Sequence, residues 1–300
     1  MKNFFNVAQN IFSGFVPEIV ENSIVSFCES SMPGYSAEGS PSERIEVGGS
    51  VEGENRKTFY TICLANTQNQ KKAARDLIGK MYSWRNFRSD NVLQESSRLT
   101  TFVAYDGCGR LVGTVTVGLD SHEGLFAEEA YRDEITSLRL SRGKVCEFTC
   151  LAVLPEVKSR KVLGGLFHVA MLYASRMFNH SGVVFEVIPR HAQFYEKMLG
   201  MNRIASGRIC KRANVAAVLI HSDFSYVEEQ IERIYGESPE EDEFPLGKDR
   251  SLYRYFFNSF EAAGIVRRFD ELLKKEKSGV QNASAFPSLS LSPLFASNSN

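Results

Sequence analysis

The hydrophobic pattern of the chain switches repeatedly between a period of two and a period near 3.6, and each switch marks an element. Lys57–Leu64, Thr100–Tyr105 and Leu111–Leu119 alternate as strands, the last two joined as a hairpin through Asp106-Gly107-Cys108-Gly109. Gln70–Phe87 and Glu123–Leu140 repeat at helical spacing. Lys144–Val153 predicts a strand that stops before Pro155, Lys158–Asn179 a long helix, and Val183–Ile188 a buried strand. Arg190–Leu199 predicts a short helix closed by Gly200, and Met201–Lys211 with Asn214–Asp223 a final strand pair. The strand–helix–strand unit over 144–188 is long enough for a parallel crossover, whereas the hairpins must be antiparallel, so a mixed sheet follows. Strands that splay where the crossover begins would leave a cleft.

The flanks differ. Residues 3–27 place Phe4, Phe5, Ala8, Ile11, Phe12, Phe15, Ile19 and Val20 on one helical face, with Pro17 as a break. Residues 29–55 are rich in Ser, Gly, Glu and Pro and read as a linker. An acidic run over Glu237–Glu243 marks a boundary, Ser251–Lys277 predicts one or two amphipathic helices, and 278–300 reads as a disordered tail. The expected organisation is therefore an amphipathic helix and linker over 1–55, a folded domain over 56–223, a helical extension over 224–277, and the tail.

Composition excludes several classes. With 300 residues, 43% hydrophobic and 24% charged, the chain is neither wholly disordered nor collagen-like, and it can bury a sizeable core. No apolar run is long enough to span a membrane as a helix. The six cysteines (28, 63, 108, 146, 150 and 210) form no C-x-x-C pair, so no metal site is expected, and scattered thiols point to a reducing, cytoplasmic setting. The net charge of −1 conceals an asymmetry: residues 56–223 carry 24 Lys+Arg against 15 Asp+Glu, and the flanks 11 against 21. A basic middle suggests an acidic partner. Nucleic acid fits poorly, because the whole chain has a pI near 6.6 and shows no aromatic-basic reader motif.

Four blocks carry a family resemblance. The first runs from Gly113-Thr-Val-Thr-Val-Gly-Leu-Asp120 through Gly124-Leu-Phe and Glu128-Glu-Ala-Tyr131-Arg-Asp-Glu134 to Leu138-Arg139. The second is Glu147-Phe-Thr149-Cys-Leu151-Ala-Val153, and the third is Pro189-Arg190-His191 with Phe194-Tyr195-Glu-Lys-Met-Leu199-Gly200. Asn214-Val-Ala-Ala217-Val-Leu is the fourth. Their order and spacing over roughly 57–223 resemble the long-chain N-acyl amino acid synthases of FeeM type, in the GNAT superfamily of N-acyltransferases and similar to acyl-homoserine-lactone synthases. The resemblance implies an α/β (α+β) GNAT-like fold: a mixed, mostly antiparallel twisted sheet flanked by helices, with N- and C-terminal helical extensions. It also implies transfer of a fatty acyl group from acyl carrier protein to the amine of an amino acid, with the acyl-phosphopantetheine of the carrier (or acyl-CoA) as donor and no permanently bound cofactor.

One departure bears on the donor. Coenzyme-A users of the superfamily carry a glycine-rich loop before the long helix, and here Arg160-Lys-Val-Leu163-Gly164-Gly165 has Leu at the first glycine position. Backbone amides near Arg160, Gly164 and Gly165 could still meet the pantetheine phosphate. Alternatively, the glycines only permit close helix–sheet packing.

Acyl transfer from a thioester to an amine needs a base, donors for the oxyanion, and a proton for the leaving thiolate. Glu147, in an otherwise apolar strand, is the candidate base; the alternative is a structural ion pair, perhaps to an arginine. Thr149 shares its strand face. The resemblance implies oxyanion donors near Leu151 and Val153, and Tyr195 as the acid for the thiolate. His191 and Arg190 are candidates for contact with the acceptor. Arg85 resembles an early arginine that closes over the acyl group, and Trp84 could wall an acyl tunnel or belong to the core.

Lys71, Lys72, Arg75, Lys158, Arg160, Lys161, Arg208, Lys211 and Arg212 could dock an acidic carrier protein. The N-terminal helix suits a packing arm or lid; with Lys2 its only basic residue, membrane-surface contact is the weaker option. Alternatives are a coenzyme A-dependent N-acetyltransferase or a catalytically silent acyl- or partner-binding module. A cysteine hydrolase built on Cys150 and His168 lacks any supporting motif.

Overall fold

A computed structural model describes residues 17–30, 57–87, 96–157, 159–236 and 251–283. The expected helix over residues 3–16, most of the linker and the tail beyond residue 283 lie outside the described residues, as does Lys158 of the basic set.

The elements run α1 Pro17–Glu21, β1 Ser23–Ser30, β2 Lys57–Leu64, α2 Gln68–Trp84, β3 Leu99–Asp106, β4 Leu111–Gly118, α3 Glu128–Arg142 and β5 Val145–Val153. Then follow α4 Arg160–Leu172 with a π-helical turn at Tyr173–Met177, β6 Gly182–Val187, α5 Pro189–Leu199, and the short β7 Asn202–Arg203 and β8 Arg208–Cys210. β9 Val215–Asp223, α6 Phe224–Tyr235, a 3-10 turn at Tyr253–Tyr255 and α7 Ser259–Ala283 complete the described elements. The sheet has the order β1-β2-β3-β4-β5-β6-β9-β7, with β8 pairing β9. Among the described strands only the β5–β6 pair is parallel. This is the GNAT-like mixed sheet.

Two boundaries move. The amphipathic stretch expected to stay helical to residue 27 becomes a strand at Ser23 and extends the sheet beyond the expected start at 56. Pro17 opens a single helical turn, and Ser23-Ile-Val-Ser-Phe-Cys then favours extended backbone, burying Ile24 and Phe27. At the other end α7 continues to Ala283, past the expected tail boundary at 278.

The two faces of the sheet are covered differently. Cys146, Phe148, Cys150 and Ala152 of β5 face the main core, with α2, α4 and the C-terminal residues. Val145, Val184 and Leu219 face the other way, beneath Tyr131 and Ile135 of α3. The C-terminal extension is integral to the fold. Phe257 and Phe269 are buried in the core, each contributing about 2–3 kcal/mol by apolar burial. Arg268 donates to the carbonyls of Ser23 and Glu21, tying α7 to the first strand.

Candidate active site

The parallel ladder between β5 and β6 is short. It holds Val145, Cys146 and Glu147 against Gly182, Val183 and Val184, then stops, although both strands continue. On its other edge β5 is bulged. Thr114 pairs Ala152 and Thr116 pairs Thr149, so Cys150 and Leu151 together oppose Val115. Cys150 takes the left-handed conformation, φ 53°, which a non-glycine residue adopts rarely. Beyond the ladder, the gap between the strands opens into a cavity of about 490 Å³.

Glu147, Thr149, Leu151 and Val153 of β5 line this cavity, as do Tyr195 and His191 of α5, Arg85 and Arg160. Tyr195 is buried, with its ring edge-on to Phe167 and Phe185. Burial pushes its phenol up to about 12, against the opposing charge of Arg85. Burial lowers the pKa of His191, as do the charges of Arg190 and Arg85, which favours its neutral form.

The remaining expected residues sit elsewhere. Trp84 does not line the cavity; it is 66% exposed because α2 ends there, and Arg85 lies over its ring at 5.1 Å. Arg190 is exposed on the first turn of α5, outside the lining. Gly164 and Gly165 are also outside it. Ser159 caps α4, accepting from the Val162 N–H at 3.1 Å, so both glycines fall on a packed helical face. A Cβ on Gly164 would meet Tyr255 at 2.8 Å, and one on Gly165 would meet Ile62 at 3.1 Å. They give close packing rather than a phosphate cradle.

Glu147 is only 3% exposed and its carboxylate is heavily engaged. Oε1 accepts from the Phe126 N–H at 2.8 Å and lies 3.4 Å from Arg98 Nη1. Oε2 accepts from the Ala127 N–H at 3.0 Å. These amides precede the first turn of α3, so the carboxylate anchors that helix to β5. Burial raises its pKa, while Arg212, the two amides and Arg98 oppose the rise.

Sequence reasoning overlooked the other side of the cavity wall. Glu186 lies in an apolar strand between Phe185 and Val187, the signal that singled out Glu147. Its Oε2 is 2.7 Å from Arg212 Nη2 and also accepts from Cys210 Sγ at 3.7 Å. Arg212 and Arg98 hold their guanidinium carbons 4.3 Å and 4.1 Å from the Phe126 ring.

Several cations of the expected basic dock are engaged within the chain. Lys72 pairs Asp76, Arg208 pairs Glu134, Lys211 pairs Glu129 and Arg212 pairs Glu186, while Lys161 donates to the Cys28 carbonyl. Among the described residues no helix is long and apolar enough to cross a membrane.

A mixed sheet with a bulged strand, a splayed parallel pair and a cavity in the splay defines a GNAT-fold acyltransferase, which moves an acyl group from a thioester to an amine. Within that class, residues 73–223 match the family described as N-acyl amino acid synthase FeeM, and the chain belongs to it. The solved structure of FeeM, an N-acyl amino acid synthase from uncultured soil microbes, shares the fold. It is 21% identical with TM-score 0.51, over 56% of this chain and 93% of that one. An acyl-CoA N-acyltransferase from Pseudomonas aeruginosa is 11% identical, TM-score 0.40, over 54% of this chain and 97% of its own. The acetyl-CoA complex of NAA60 from Arabidopsis thaliana is 18% identical, TM-score 0.41, over 55% and 99%. A search of the curated proteins found no match.

Proposed function

We propose that the protein transfers a fatty acyl group from a phosphopantetheine thioester to the amine of an amino acid, giving an N-acyl amino acid. The observation that carries this is the cavity in the β5–β6 splay, where apolar walls (Leu151, Val153, Leu154, Val157, Leu163) meet acid and base groups. The thioester lies along the open edge of β5, with backbone N–H groups over Leu151–Val153 as donors to the carbonyl oxygen. Tyr195, with its proton held firmly at neutral pH, protonates the departing thiolate. Glu147 and Thr149 shape the strand that presents the carbonyl.

Two donors fit. Acyl carrier protein follows from the resemblance to the synthases. Acyl-CoA is the second reading, favoured because several cations expected to meet a carrier protein are paired to acids of this chain. Arg160 at the cavity suits the phosphate that both donors share.

The test is a matrix of acyl chains from acetyl to palmitoyl, each loaded on acyl carrier protein and on CoA, incubated with purified protein and mixed amino acids. Mass spectrometry should detect N-acyl amino acids with chains longer than acetyl, and the better donor decides between carrier and CoA. Acetylated products alone would mean an N-acetyltransferase. No product from any donor, with protein folded, would point to a silent binding module.

A further inference from the structure

The wall opposite the oxyanion strand carries a second pair of charges. Glu186 and Arg212 both line the cavity, and Arg212 is turned inward to Glu186 rather than outward to a docking partner. Their side chains are 8% and 21% exposed, so the pair is largely desolvated yet still reachable from the cavity. Charges in such a setting interact far more strongly than at a surface.

Glu147 is badly placed to take a proton from substrate. Both of its oxygens already accept main-chain N–H groups, and one is also beside Arg98. Protonating it would cost the anchor at the start of α3. Glu186 has no such duty: its bonds are to the Arg212 guanidinium and, weakly, the Cys210 thiol. Arg212 bonds Glu186 through Nη2, and a guanidinium carries five N–H donors in a fork that matches a carboxylate. Phe126, between the two guanidiniums, holds that fork in place.

Charge balance supports the same assignment. Arg98 bridges Glu147 and the half-exposed Glu123, and Arg212 pairs Glu186 while also facing the charge of Glu147, so acids and arginines alternate along this wall and suit an acceptor that is neutral overall but dipolar. A free amino acid has that form.

We propose that Glu186 and Arg212 form the acceptor subsite: Arg212 holds the carboxylate of the incoming amino acid, and Glu186 takes a proton from its ammonium group. This rests on the acyl-transfer reading above. The ammonium gives one proton to Glu186, which passes it to solvent. The freed lone pair forms the C–N bond at the thioester carbonyl, and the C–S bond breaks. Of the other two hydrogens, one reaches the departing thiolate and one stays on the amide.

The test has a binding arm and a turnover arm. In the first, each of the twenty amino acids, and the amine lacking the carboxylate of each, is titrated against wild type and Arg212→Met by ligand-observed NMR. The amino acid that binds wild type should bind the variant at least tenfold more weakly, while its decarboxylated amine should bind both alike. Equal binding of the amino acid to both proteins, or no amino acid binding to wild type, overturns the proposal. Should Arg212→Met fail to fold, Arg212→Lys is measured instead, with a three- to tenfold loss expected because the fork is gone. In the turnover arm, Glu186→Gln, which can still accept from Arg212, should lose at least tenfold in kcat with KM for the amino acid within threefold. Unchanged kcat overturns the proton assignment. A wild type that binds amino acids as described but acylates none of them would sink the acyl-transfer reading and leave the subsite standing.

Discussion

Gly118 and Glu147 face each other across the β4–β5 ladder, and the glycine is bare because the glutamate fills its space. A Cβ at 118 would lie 2.7 Å from Glu147 Cγ and 2.8 Å from Oε1. The carboxylate has little room to yield, since two main-chain amides and Arg98 hold it. Gly118→Ala is expected to cost about 1–3 kcal/mol in chemical denaturation, the usual range for overpacking. Glu147→Gln tests the anchor directly. Its amide can accept from one main-chain N–H but presents donors to the other, a loss of about 1–3 kcal/mol. Hydrogen exchange at Phe126 and Ala127 should quicken in step. A fully stable, inactive Glu147→Gln protein with unchanged exchange there would instead return Glu147 to the role of base.

Three clustered phenylalanines wall one end of the apolar site, with Phe167 stacked on the other two. Phe148, Phe167 and Phe185 line the main cavity and also a second, apolar space of about 30 Å³ beside Met171, Met201 and Phe224. Their centroids lie 5.3–6.3 Å apart. Phe185→Leu should join the two spaces and shift the products toward longer acyl chains, with a stability loss of about 1–2 kcal/mol from lost burial. The chain-length distribution of products, read by mass spectrometry against wild type, checks it. An identical distribution would mean that the acyl chain does not reach this wall.

Most of this architecture is legible in local pattern, and the exceptions have physical causes. Lys57–Leu64 reads as a strand and is one, because alternation over a half-buried ladder is written into the residues themselves. Ser23–Ser30 misleads, because eight residues after an amphipathic stretch fit either period, and pairing with β2, far away in sequence, decides. The cavity residues on β5 are visible because a carboxylate interrupts an apolar run. Glu186 shows the same signal but lies outside the blocks that carry the resemblance. For Gly164 and Gly165 the sequence offers both a phosphate contact and close packing without deciding between them, because whether a helical glycine meets a phosphate or a tyrosine depends on Tyr255, far downstream.

Gly164 then makes a sharp test of the C-terminal extension. Its Cβ would contact Tyr255 at both Cβ and the carbonyl oxygen, 2.8 and 2.9 Å, and backbone cannot swing aside as a side-chain tip can. Helix propensity alone favours alanine by about 1 kcal/mol. Gly164→Ala should nevertheless destabilise the protein by about 1–3 kcal/mol and release protection of residues 252–257 in hydrogen exchange. A variant more stable than wild type would mean that the extension does not dock on α4 in solution.

His168 makes the same docking sensitive to acid. Its Nδ1 accepts from the Phe257 N–H at 2.9 Å, and its ring stacks on Phe256 and Phe257. Burial holds its pKa down to about 3, from an ordinary 6.5. The folded state therefore binds fewer protons than the unfolded chain between those values, and stability must fall as pH drops below 6.5. By pH 5 this histidine alone should remove about 2 kcal/mol relative to neutral pH. The buried His180 and His221 are also held below the ordinary value and act in the same direction. His168→Gln can still accept from Phe257 but carries no titrating proton. Its denaturation midpoint should change less between pH 7 and pH 5 than that of wild type, even if it starts lower. Parallel losses in both proteins would place the acid sensitivity in other groups.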